Sequence, residues 1–90
     1  MAQKFETELW SALRELVNNT ISKVIVTFTD SEGSAKVEVT DDEREKEAFK
    51  VNTIRDGAII DTFSTRFGLH ILDYFEQQYG NIRDLRVGVE

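Results

Sequence analysis

Apolar residues recur at helical spacing at the start of the chain, as Phe5, Leu9, Leu13, Leu16 and Val17, with Lys4, Glu6, Glu8, Arg14 and Glu15 between them. This period predicts an amphipathic helix over 3–18, stopped by Asn18-Asn19-Thr20. The pattern then changes to alternation. From Ile21 to Thr29 the residues are mostly β-branched or aromatic, with Val24, Val26 and Phe28 on one face and Ile25, Thr27 and Thr29 on the other, which reads as a strand. Asp30-Ser31-Glu32-Gly33-Ser34 is rich in turn formers, and Ala35, Val37 and Val39 alternate with Lys36 and Glu38 beyond it, so the two runs form a hairpin.

Residues 41 to 47 contain no apolar side chain and are expected to form a solvated turn. A third strand follows over about 48–54. Arg55-Asp56-Gly57 signals a second tight turn, after which Ala58, Ile59 and Ile60 could return as a short strand. Phe63, Phe67, Ile71, Phe75 and Tyr79 then repeat every four residues, widened by Leu72 and Tyr74. This predicts a second helix capped by Asp61 or Ser64, carrying Gly68 within it and ending at Gly80-Asn81. Leu85, Val87 and Val89 alternate with Asp84, Arg86 and Gly88 as a last strand. The expected fold is α+β, in the order αβββ(β)αβ: a mostly antiparallel, four- to five-stranded sheet with two amphipathic helices on one face. Lys23, Ile25, Thr27, Lys36, Glu38 and Lys50 are expected on the uncovered face.

Ninety residues allow one core, so residues 1–90 read as a single domain. With no cysteine, neither a disulfide nor a thiolate metal site can form, and packing alone must hold the fold. The charged, amphipathic beginning is unlike a signal peptide, and no apolar stretch is long enough to cross a membrane. A cytoplasmic location is expected.

His70 is the only histidine, and no nucleophile motif accompanies it, so a packing or surface role is favoured over catalysis. Asp30-Ser31-Glu32-Gly33 and Asp41-Asp42-Glu43 offer oxygen ligands without EF-hand spacing. No catalytic residue, metal site or cofactor is therefore assigned. The glycines form no phosphate-cradling loop, and the dispersed cations on a chain of net charge −6 argue against direct nucleic-acid binding.

Acid is concentrated in one segment. Residues 30 to 47 hold eight acidic and three basic residues, net −5, whereas the other 72 residues carry net −1. Such a segment can steer a basic partner, and it also reads as a solvated turn that aids solubility. The expected function is a small acidic non-enzymatic protein-binding module of inhibitor or immunity type. Asp30, Glu32, Asp41, Asp42, Glu43, Glu45 and Glu47 would dock on a protein with a basic surface, such as a nucleic-acid-binding one. The alternative is a structural subunit or homodimer using the open sheet face; a small metal-dependent enzyme using His70 and the carboxylates is the third reading.

Overall fold

The computed structural model describes residues 2–44, 48–66, 69–78 and 80–90. Helix α1 (Ala2–Val17) buries Phe5, Leu9, Ala12, Leu13 and Leu16 on one stripe. Its end is a Schellman cap: Asn19 adopts φ 60°, its N–H donates to Leu16 O (3.1 Å), and the Thr20 N–H donates to Glu15 O (3.1 Å). Val17 and Trp10 flank the stripe, 64% and 38% exposed.

Strands β1 (Val24–Asp30), β2 (Gly33–Asp41), β3 (Ala48–Arg55) and β4 (Ala58–Arg66) follow as an antiparallel meander. Helix α2 (Leu69–Gln78) then leads to β5 (Arg83–Val89), which pairs antiparallel with β1. The sheet order is β4-β3-β2-β1-β5, leaving β4 and β5 as edges. Asp56 and Gly57, both at positive φ (53° and 79°), make the tight β3–β4 turn. Beyond β5, Glu90 N donates to Lys23 O (2.9 Å) and so extends the β1–β5 ladder.

Alternation decides which face is buried. Val24, Val26, Phe28, Ala35, Val37, Val39, Phe49 and Val51 point inward and meet the stripe of α1 and Ile71 and Phe75 of α2 in one core. The Phe5 and Phe75 rings meet edge to face at 5.2 Å, so both helices share that face of the sheet.

The fourth strand and the second helix differ from the expected boundaries. Residues 61 to 66 continue β4, so Asp61 and Ser64 cap no helix; they lie opposite Thr53 and Lys50 in the ladder. The ambiguity is physical: Phe63 fits the four-residue period, but with Thr65 it also fits strand alternation, and β3 offers a full-length partner. Phe67, Gly68 and Tyr79, also assigned to that helix, lie outside the described residues. In the acidic stretch, Asp41 ends β2, and the Asp42 N–H donates to Ala48 O (2.9 Å), adding one more rung.

Candidate functional site

The acidic segment is divided by β2, whose eight residue steps separate its two ends by roughly 26 Å. At one end, Arg55 reaches from β3 to the β1–β2 turn. Its Nη2 donates to Asp30 Oδ2 (2.7 Å), its Nη1 donates to Ser34 O (3.4 Å), and its Nε lies 3.8 Å from Glu32 Oε2. Asp30 Oδ1 also accepts the Glu32 N–H (2.8 Å), closing the turn. The Arg55 hydrogen bond, aided by that N–H, holds the Asp30 carboxyl below its ordinary range. Asp30 is thus committed within the fold, while the Glu32 side chain remains 75% exposed.

At the other end, Asp42 is only 6% exposed. Its Oδ2 accepts from Ser64 Oγ (2.6 Å), and its Oδ1 accepts from the Arg44 N–H (3.0 Å) and Arg44 Nε (3.5 Å). The Ser64 hydroxyl, followed by the Arg44 N–H, lowers its pKa. The Ser64 hydrogen bond thus ties the end of β2 to β4 and commits Asp42 within the fold. Asp41 and Glu43 are exposed there, whereas Glu45 and Glu47 lie outside the described residues. Among the described residues, the carboxylates that face solvent at the two ends therefore do not form one patch. The side chain of His70 also lies outside the described residues, and among the described residues no group of three or more His, Asp or Glu could hold a metal ion.

The open face of the sheet gathers charge of the opposite sign. Opposed residues in an antiparallel ladder point to the same side, so the register can be read in rows across the strands. One row holds Arg83, Thr29 and Ser34, and the next Arg86, Thr27, Lys36, Ile54 and Ile59. Gly88, Ile25, Glu38, Asn52 and Thr62 form the middle row. Beyond it lie Thr40, Lys50 and Ser64, and then Ala48 and Arg66. Lys23 joins this side, since its Nζ reaches Glu38 Oε1 (3.2 Å) while Lys36 Nζ reaches Oε2 (3.3 Å). Burial pushes the Glu38 pKa up, but the hydrogen bonds from the two lysines outweigh it and leave it lowered.

Six of the eleven Lys and Arg residues thus share one face, as Lys23, Lys36, Lys50, Arg66, Arg83 and Arg86. The carboxylates on that side are Glu38, Asp42 and, by alternation beyond Gly88, Glu90, with Asp56 and Asp84 at one end of the face, so the six cations there meet five carboxylates. Among the described residues, Lys50, Arg83 and Arg86 form no ion pair. Thr27, Thr29, Ser34, Lys36, Ile54 and Arg86 line an open hollow of about 710 Å³ at one end of the face, with Asp56 and Asp84 at its rim. Lys23, Lys36 and Lys50 were expected on this face individually. That the arginines join them was not evident, because residues far apart in the chain become neighbours only through strand order.

No helix among the described residues is long and apolar enough to cross a membrane. Compared with known proteins, the chain matches no family model, no curated protein and no solved structure.

Proposed function

We propose that this protein is a non-enzymatic protein-binding module that docks through the open face of its sheet. The observation that carries this reading is the placement of the cations: six of the eleven Lys and Arg residues stand on the hydroxyl-rich face opposite the helices, on a protein that is acidic as a whole. Complementary charge of this kind steers encounter and sets orientation, and it is most effective where the cations have no partner within their own chain. Among the described residues, Lys50, Arg83 and Arg86 form no ion pair. Docking of the acidic segment on a basic partner is the competing reading; among the described residues its exposed carboxylates are Glu32 at one end of β2 and Asp41 and Glu43 at the other, with Glu45 and Glu47 outside them.

Capture from cell extract at low and high salt by three forms of the protein separates the two. The reading expects capture to be salt-sensitive, lost in K50E/R83E/R86E and retained in D41K/E43K. Loss in D41K/E43K with retention in the face variant would return the function to the acidic end of β2. A homodimer built on the open face would appear in light scattering as a doubled mass that K50E/R83E/R86E reduces to the monomer.

A further inference from the structure

We propose that two copies of this chain join through the free edge of β5, pairing residues 86–90 antiparallel about a two-fold axis at Gly88 and so making one ten-stranded sheet. The pairing goes beyond docking through the open face and does not depend on it. Among the described residues, nothing pairs with the outer side of β5. Lys23 and Glu90 exchange both backbone hydrogen bonds (2.9 and 3.3 Å), so by alternation Glu90, Gly88 and Arg86 commit their backbone groups to β1, while Val89 and Val87 turn theirs outward. From Arg86 to Val89 the register with β1 is unbroken, and the irregularity at Asp84 (φ 57°) lies before it. The other edge is guarded. Strand β4 is bulged at Ile60 and turns Asp61 to the helix side, and a bulge and an inward charge both hinder edge pairing.

The side chains select both the occupant and the register. In an antiparallel pair about a two-fold axis, opposed residues stand equally far from the axis along each strand and share a face. An axis at Arg86 would set Arg86 against itself. An axis at Val87 would set it against Gly88 and bring the exposed Asp84 level with Glu90. An axis at Gly88 sets Arg86 of each copy opposite Glu90 of the other on the open face, twice. Both residues are exposed, and among the described residues neither forms an ion pair within its own chain. On the helix face the same axis sets Val87 against Val89, which is 49% exposed in the single chain. At the axis two glycines meet, with no side chain to hold the strands apart. Exposed ion pairs contribute little energy each, so these two fix the register while the outward backbone groups of Val87 and Val89 make the hydrogen bonds.

The chain has no cysteine, so G88C places a single thiol at the axis. A Cβ added at Gly88 meets Ile25 O at 3.8 Å, an ordinary contact, so the substitution suits the fold. Opposed residues of a non-hydrogen-bonded pair stand about 4.5 Å apart at Cα, within disulfide reach. Mild oxidation should link G88C into a dimer at least about tenfold faster than T62C, which carries its thiol on the β4 edge. Light scattering of the unaltered protein at about 1 mM should give a doubled mass that falls on dilution, since five residues a side make a small interface. V89P removes an outward N–H without touching the β1 ladder, and should be monomeric with the circular dichroism of the parent. R86E and E90R should each lower the dimer fraction, and R86E/E90R should restore it. K50E/R83E, altered on the open face outside residues 86–90, should keep the dimer. A monomer at about 1 mM, equal cross-linking of G88C and T62C, or a doubled mass that V89P leaves unchanged overturns the inference. So does failure of R86E/E90R to restore what the single reversals remove. A dimer lost in K50E/R83E and kept in V89P would move the contact to the open face.

Discussion

Replacing Phe75 by alanine should remove most of what holds α2 on the sheet. Phe75 is fully buried, and its ring meets Phe5 at 5.2 Å, Phe28 at 6.4 Å and Tyr74 at 5.3 Å, each edge to face. Helix α2 has ten residues, too few to be stable in water without docking. Truncation of a buried phenylalanine costs about 3–5 kcal/mol, against roughly 5–13 kcal/mol of total stability for a chain of this length. The corresponding fall in Tm is more than about 10 °C. Urea unfolding of F75A at constant slope gives the loss directly, and a double-mutant cycle between F5L and F75L should recover a coupling of about 0.5–1.5 kcal/mol from the ring pair. Hydrogen exchange should show the amides of α2 losing protection before those of β1 and β2. A loss below about 1 kcal/mol, or no coupling to Phe5, would refute the view that this ring joins the two helices over one core.

Gly57 sits at φ 79° in the β3–β4 turn, so G57A should cost about 1–2 kcal/mol, read as a lowered urea midpoint. Asp30 has a lowered folded-state pKa, so its contribution is complete above its ordinary value of 3.8 and disappears as the pH falls through the lowered value. The stability advantage of the parent over D30N should therefore shrink below about pH 4, and an advantage constant from pH 7 to pH 3 would contradict the Arg55–Asp30 pairing. At the highest pH at which a cation exchanger retains the protein at low salt, K50Q/R83Q/R86Q should flow through, since three of the exposed cations are gone. S64A removes the donor to Asp42 and should raise the Asp42 pKa, as followed by NMR titration; an unchanged value would show that the hydroxyl does not set it.

The linear pattern was enough to determine the amphipathic face of α1, the alternation of β1 and β2, the tight turn at Asp56-Gly57 and the end of α1 at Asn18-Asn19-Thr20, because each depends on neighbours within a few residues; the left-handed turn of Asn19 itself came from the structure. The linear pattern was also enough to collect Ile71 and Phe75 on one side of α2. The boundary between β4 and α2 needed tertiary information: Phe63 satisfies both periods, and only the availability of β3 as a partner extends the strand to Arg66. Charge followed the same division. A run of acidic residues is visible in the linear order, but β2 carries its two ends apart, and Arg55 and Ser64, from other strands, engage Asp30 and Asp42. The cationic face has no linear signature at all. Its successive members stand between 3 and 17 residues apart in the sequence, and it exists because each takes an outward position in or next to a strand and the order β4-β3-β2-β1-β5 sets those positions side by side. Local sequence determines which side of a strand each residue takes, and only the pairing of strands decides which residues share that side.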